Sequence, residues 1–548
     1  MKSTMQDAPL SISRLLDHAS LVHPDTEVVT KTPDGTRRRT FAEIAERAGR
    51  LAGALRACGI DGDQRVGTFM WNNAEHLEVY LAVPSMGAVL HTLNIRLFPD
   101  QVTYVANHAE DSVVVVDASL LEPFAKLLPT FETVTHVLVA GPEAADADLS
   151  ALEATGKTIL RYEDALASAE PVTEWPDIVE TDAAAMCYTS GTTGNPKGVA
   201  YSHRSMYLHS MAVAMGDAMG LTPRDRILPI VPMFHANAWG LPYAAIMVGA
   251  DLVMPDRWLQ SPPLTTLIKD ERVTVSGAVP AIWNDILGYA DSHDDVDLSS
   301  IRLVPCGGSA VPMALQRALA ERHGVRMLQA WGMTETSPVA TIALPPDGVD
   351  PDSDEGWTYR ASQGRLLAGV TARITGDDGQ ARPRDGVAVG EIEVRGPWIT
   401  GSYYKDDDPE KFRDGWLRTG DVGTLDRQGY VTLTDRAKDV IKSGGEWISS
   451  VDLENHLMAH PDVLEAAVVA IPDERWDERP LATVVLREGA SADLDSLRAH
   501  LATKFAKWQL PDAWAFVEAV PRTSVGKFDK KVIRQDFADG ALDVKRLH

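Results

Sequence analysis

The sequence predicts a two-part α/β protein. A large N-terminal body has layered, mostly parallel sheets with helices and a β-rich subdomain, and a small α+β unit follows. Three observations carry this. Short β-rich runs at 66–70, 113–116 and 137–139 are separated by segments long enough for helices, the pattern of parallel layers. Strands at 391–394 and 430–434 belong to a more antiparallel region. Past Asp435 the chain changes character, and the remainder is of ordinary small-domain size, about a hundred residues. The expected units are therefore 1–435 and 436–548.

Taken in order, residues 1 to 60 read as mostly helical, with a turn at Pro33-Asp34-Gly35. Thr40-x-x-Glu43 is a capping box. Leu51, Ala54, Leu55 and Cys58 continue an apolar face, and Gly59 ends it as a helix C-terminal glycine does. The acidic, Ala-rich stretch 143–152 is a loop or short helix. A strand at 183–188 leads into a Ser/Thr/Gly-rich loop, and a helix is expected at 205–219. Strands at 227–231, 301–304 and 327–331 each run into a motif-bearing loop. In open parallel sheets ligands bind beyond the carboxyl ends of strands, so these loops are expected to face one crevice. Residues 345–356, rich in Pro, Asp and Gly, read as a loop. In the small unit, Ser449-x-x-Asp452 opens a helix, followed by strands at 466–471, 483–486 and 515–517 and a helix at 494–505.

The 548 residues are 45% hydrophobic and 24% charged, enough for a large core. A net charge of −26 argues against nucleic acid and anionic membrane surfaces as partners. Any polyanionic substrate must meet a locally positive site. Cys58, Cys187 and Cys306 are scattered and fit no metal spacing, so buried free thiols in a reducing compartment are expected. No signal peptide or membrane-spanning apolar run is evident, and the expected location is the cytoplasm.

The most informative stretch is Tyr188-Thr189-Ser190-Gly191-Thr192-Thr193-Gly194-Asn195-Pro196-Lys197-Gly198. Glycines let the backbone approach a ligand, successive N–H groups form an anion site, and the hydroxyls and Lys197 add donors and charge. A polyphosphate is the natural ligand. It is not a Walker A loop, because Pro196 precedes the lysine and Gly198 follows it. Thr334 and Glu335 follow Gly332 on a strand-end loop; a hydroxyl suits a phosphate oxygen and a carboxylate suits Mg²⁺. Thr419-Gly420-Asp421 is a turn, and Asp435-Arg436-Ala437-Lys438-Asp439 is a mixed charge run at the expected domain join. Ser443-Gly444-Gly445-Glu446-Trp447 suits a backbone lying against a narrow passage, and Pro521-Arg522-Thr523-Ser524-Val525-Gly526-Lys527 ends in a long-reaching cation.

Together these strings resemble the adenylate-forming superfamily, most closely the AMP-forming acyl-CoA synthetases for medium- and long-chain fatty acids. The resemblance runs from about residue 10 to 540, with five motifs in order. It implies ATP, Mg²⁺ and CoA as cofactor and co-substrates and a small carboxylic acid as substrate, and it leaves a homodimer open. Thr189, Ser190, Gly191, Thr192, Thr193, Gly194 and Lys197 would hold phosphates. Gly308, Gln329 and Trp331 would line the nucleotide site, Trp331 standing where relatives stack an aromatic on adenine. Thr334 would bind the α-phosphate, Glu335 the metal, and Asp421 and Arg436 the ribose. Lys438 would be the hinge on which the small domain turns, and Gly445 would line the pantetheine tunnel. Lys527 would bridge carboxylate and α-phosphate during adenylation. His235, Trp239, Gly307 and Met333 would form the acyl site, with Trp239 in the place of a gate tryptophan.

The acid is less fixed. Residues 232–240, Pro-Met-Phe-His-Ala-Asn-Ala-Trp-Gly, contain no acidic residue to pair an amino acid's ammonium, so an apolar acid is expected. A short thioether acid such as 3-methylmercaptopropionate is the alternative. A ligase delivering acyl-AMP to a carrier protein, and a luciferase-like oxygenase, would share every motif. A non-catalytic nucleotide sensor would be expected to lack Lys527 or Glu335.

Overall fold

The structure, a computed structural model, describes the chain apart from residues 2, 190–194, 377, 437–438, 444–445, 474, 523–527 and 547–548, and describes only the backbone of 436, 442, 446 and 447. Among the described residues the strands form four sheets. One has seven strands in the spatial order Thr158–Arg161, His136–Ala140, Asp111–Asp117, Arg65–Phe69, Val89–Thr92, Ala183–Tyr188 and Gly198–Ser202, parallel except for the last. Val113, Val114, Val115 and Val116 are all buried. A continuous apolar run is what a parallel strand covered on both faces requires.

The second sheet has five strands in the order Val275–Gly277, Arg226–Pro229, Asp251–Met254, Glu27–Thr32 and Gly35–Thr40. Here the structure corrects the expectation that 1–60 is mostly helical. Helices occupy Ile12–Val22 and Phe41–Ala57, but between them lies a β-hairpin turning at the expected Pro33-Asp34-Gly35. Tertiary pairing decides this: Val28, Val29 and Thr30 run parallel to Leu252, Val253 and Met254. The arginines of the second strand find carboxylates far along the chain, Arg37 on Glu75 at 2.6 Å and Arg38 on Glu271 at 2.7 Å. The capping box is present, with Thr40 Oγ1 accepting from Glu43 N–H at 3.2 Å.

The third sheet is the β-rich part. Val304–Cys306 and Met327–Gly332 are parallel, and Val339–Ile342, Gly364–Leu366, Tyr430–Arg436, Trp416–Leu425, Gly390–Arg395 and Thr371–Thr375 continue it antiparallel. The strand expected at 301–304 begins instead at Val304, where pairing with Met327 starts. The helix expected at 205–219 is His203–Ala214 and stops because Met215 adopts φ −59° and ψ 155°. The loop expected at 345–356 becomes helix from Asp354, since Ser353 Oγ caps Gly356 N–H at 3.0 Å.

The fourth sheet lies wholly past residue 440. Asp477–Leu486 sits between Val463–Asp473, antiparallel to it, and Ala513–Phe516, parallel to it. Ser449 Oγ caps the helix Ser450–Met458, as expected. This part has its own cores, one around Leu453, Val468 and Trp514 and one around Val469, Leu481 and Ile533. The three thiols are free and buried. Among the described residues no helix is long and apolar enough to cross a membrane.

Candidate active site

The strands Ala183–Tyr188 and Gly198–Ser202 form an antiparallel hairpin whose connection is the Ser/Thr/Gly-rich loop. Thr189 closes it: Thr189 N–H donates to Lys197 C=O at 2.9 Å, and Lys197 N–H donates to Thr189 Oγ1 at 3.1 Å. Gly198 packs closely there: a Cβ would lie 3.0 Å from the Tyr188 ring, which would have to shift by a few tenths of an ångström. Ser190, Gly191, Thr192, Thr193 and Gly194 fall outside the described residues. The Lys197 ammonium lies 2.8 Å from Asp408 Oδ2 and 3.2 Å from Asp406 Oδ2, and 4.8 Å from the centre of the Tyr403 ring. The hydrogen bond to Asp408 raises its pKa.

The second motif turns sharply after Met327–Gly332. A Cβ on Gly332 would lie 1.7 Å from Pro338 C=O, so only glycine fits. Thr336 Oγ1 accepts from Met333 N–H at 2.8 Å and pins the turn. Thr334 C=O accepts from Tyr201 O–H at 2.8 Å, which ties this loop to the phosphate hairpin. Glu335 is buried, and its Oε1 accepts from Tyr403 O–H at 2.5 Å. The Trp331 indole Nε1–H donates to Asp421 Oδ2 at 2.8 Å, both side chains being buried. Asp421 faces Arg436 across the ladder. The Gln329 amide is taken up by backbone on both sides: it donates to Ser362 C=O at 2.6 Å and accepts from Val311 N–H at 3.1 Å.

On the acyl side, Ala236, Asn237, Ala238, Trp239 and Gly240 have φ of 43°, 52°, 50°, 58° and 75°. Left-handed backbone costs about 1–2 kcal/mol per non-glycine residue, so the surroundings must hold this turn. Two contacts do. Cys187 S–H, on the phosphate-hairpin strand, donates to Asn237 Oδ1 at 2.7 Å. Gly240 meets His209, whose Nδ1 would lie 2.7 Å from any Cβ there. Upstream, Asn72 clamps the chain: its amide donates to Pro229 C=O at 2.7 Å and Val231 C=O at 2.9 Å and accepts from Met233 N–H at 2.8 Å. The Trp239 ring passes beside Gly277 and Gly308, its atoms 3.8 and 4.0 Å from the Cβ positions these glycines lack. Gly307 packs on the next strand, where a Cβ would meet Ala330 C=O at 2.6 Å. His235 is half-buried at the start of the turn.

Trp239, Gly307, Gly308 and Trp331 thus lie near one another at or beyond neighbouring strand ends, and Asp421, from the middle of Trp416–Leu425, reaches Trp331. Glu335 and Lys197 meet through Tyr403. Lys438, Gly445 and Lys527 are outside the described residues, as is the Arg436 side chain. Tyr201, Tyr403, Asn72 and His209 belong to no motif read from the sequence.

An α/β body with a Ser/Thr/Gly-rich hairpin bearing one lysine, followed by a small α+β unit, is the architecture of the adenylate-forming enzymes. The chain belongs to the AMP-binding enzyme family, which residues 16–404 match, while 452–527 match the AMP-binding enzyme C-terminal domain. It is 43% identical to the 3-methylmercaptopropionyl-CoA ligase of Ruegeria pomeroyi, over 98% of this chain and 99% of that one. It is 44% identical to the long-chain-fatty-acid–CoA ligase of Thermus thermophilus, over 98% and 97%. A crystal structure of an anthranilate CoA ligase with anthranoyl-AMP superposes with a TM-score of 0.86 at 25% identity, covering 99% of this chain and all (100%) of that one.

Proposed function

We propose that this acyl-CoA ligase activates a medium- to long-chain fatty acid with MgATP and passes the acyl group to CoA. The observation that carries the acyl assignment is the apolar setting of Trp239 between Gly277 and Gly308, with no Asp, Glu, Lys or Arg among residues 232–241. In the first step a carboxylate oxygen attacks the α-phosphorus, and the bond to pyrophosphate breaks. In the second the CoA thiol gives up its proton, its sulfur attacks the acyl carbon, and the bond to AMP breaks.

In this reading residues 189–194 and Lys197 hold the outer phosphates, and Thr334 the α-phosphate. Asp421 and Arg436 hold the ribose, Trp331 lies by the adenine, and Lys527 neutralises charge between carboxylate and α-phosphate. The donor set suits Mg²⁺: Glu335 is one buried carboxylate, and no cluster of three or more metal-binding side chains occurs among the described residues. Mg²⁺ is ordinarily held by one or two carboxylates with phosphates and water. Bound there, it would neutralise phosphate charge. The unit 436–548 is assigned as the mobile one, turning at Lys438, a reading its separate cores support. The buried free thiols support a cytoplasmic location.

A second reading, a short acid such as 3-methylmercaptopropionate, is favoured by Trp239 itself, which at 6% exposure closes the space it occupies. The test is pyrophosphate release with acids of two to eighteen carbons, and with 3-methylmercaptopropionate. Each methylene that finds an apolar wall is worth about 0.8 kcal/mol, so a fatty-acid site gives kcat/KM climbing through eight to sixteen carbons. An optimum at three to five carbons with collapse beyond selects the short-acid reading. Acyl-AMP formation that never responds to CoA would point to a carrier protein instead.

A further inference from the structure

The segment from Trp398 to Asp408 crosses the site, touching both proposed triphosphate-binding motifs. Trp398 C=O accepts from Ser337 Oγ at 2.7 Å, and Thr400 N–H donates to Glu335 C=O at 2.9 Å. Tyr403 O–H holds the Glu335 carboxylate, and Tyr404 N–H donates to Gly198 C=O at 2.8 Å, next to Lys197. Asp406 and Asp408 then receive the Lys197 ammonium itself. Tyr403 is shared, its hydroxyl on Glu335 and its ring face toward Lys197.

We propose that this strap sets the nucleotide requirement of the enzyme: Tyr403 is a positioning residue for Glu335, and Asp406 with Asp408 occupies Lys197 until a phosphate replaces them. The proposal rests on the reading of Lys197 as a phosphate ligand and Glu335 as a metal ligand. Chemistry separates the two roles. A carboxylate has about four lone-pair sites, so Glu335 keeps the Tyr403 bond on Oε1 while presenting Oε2 to a cation. Lys197 has a single charge, and two carboxylates more than cancel it. An incoming polyphosphate is repelled unless they yield the ammonium. Their side chains are 39% and 28% exposed, so the competition is screened and moderate.

Calorimetric binding of ATP to the full chain, without metal and then across a Mg²⁺ series, tests this. Asp406→Asn/Asp408→Asn should bind metal-free ATP about three- to tenfold more tightly than wild type, the range two exposed pairs allow. Asn at 408 can still accept the Lys411 N–H bond that Asp408 Oδ1 makes at 3.1 Å, and an unchanged Tm confirms the fold. Tyr403→Phe should leave metal-free ATP binding near wild type and raise the Mg²⁺ concentration at half-effect about tenfold, the scale of one hydrogen bond to a charged group. ATP bound no more tightly by the double variant, or Tyr403→Phe with a wild-type Mg²⁺ response, overturns the proposal. Lys197→Ala separates the levels. If it binds ATP like wild type, the phosphate reading fails and the strap falls with it. If it weakens binding and the double variant fails to tighten it, the strap alone falls.

Discussion

At the residue scale, motif strings expose chemistry but not the side chains that hold it. Thr334, Glu335, Lys197 and Asp421 stand out as candidates because their neighbours in sequence form recognisable strings. Tyr403, Tyr201 and Asn72 do not, because their partners lie 68, 133 and 161 residues away. No local pattern marks such a partner. Cys187 and Asn237 illustrate the same gap: neither carries a motif role, yet their bond helps hold a left-handed turn. The sharpest residue prediction concerns Lys527. If Lys527 serves adenylation alone, as proposed, Lys527→Ala should lower acyl-AMP formation by roughly two or more orders of magnitude. Thioester formation from supplied acyl-AMP should stay near wild type. Single-turnover measurements of the two half-reactions decide this, and equal loss in both contradicts the assignment.

At the element scale, the parallel strands were readable from their apolar runs, the cap at Thr40 from its box spacing and the helix start at Ser449 from Ser449-x-x-Asp452. The hairpin Glu27–Thr40 was not, since its second strand is Gly-Thr-Arg-Arg-Arg-Thr and it is held by ion pairs and a distant parallel partner. The helix His203–Ala214 has a consequence for pH. Burial pushes His209 down to about 3, and its neutral Nε2 accepts from Val339 N–H at 3.1 Å. A folded pKa below the unfolded 6.5 means stability present above that pH and lost as pH falls toward 3. Each unit is worth about 1.4 kcal/mol, so the full span is on the order of a few kcal/mol. Asp117 and Glu454, pushed up to about 7 by burial, act in the opposite sense. The effect must therefore be read as a difference. Between pH 7 and pH 5 the Tm of His209→Gln, which keeps an acceptor for Val339, should fall less than that of wild type. Equal falls contradict the inferred burial of a neutral imidazole.

At the scale of the whole molecule, the order body then small unit was legible because composition and periodicity change together near Asp435. The adjacency of the motifs depended on strand order, which the sequence does not state. Parallel pairing of Arg226–Pro229 with Val275–Gly277, and of Val304–Cys306 with Met327–Gly332, is what lines up Trp239, Gly308 and Trp331. If the small unit turns at Lys438 between the two steps, fixing φ there should slow only the second. Lys438→Pro should retain adenylation, seen as acid-dependent pyrophosphate exchange, and slow acyl-CoA formation at least about tenfold. A folded variant slowed equally in both steps would place the pivot elsewhere.

The central claim is that the acid is activated at its own oxygen through the α-phosphorus. The acid preferred in the chain-length panel, labelled with ¹⁸O in its carboxylate and turned over with ATP and CoA, follows that oxygen directly. Attack on the α-phosphorus followed by thiol attack on the acyl carbon leaves one carboxylate oxygen behind, so mass spectrometry should find one ¹⁸O in each AMP and none in pyrophosphate. Label in inorganic phosphate with ADP as product, or AMP formed without label, would contradict the account.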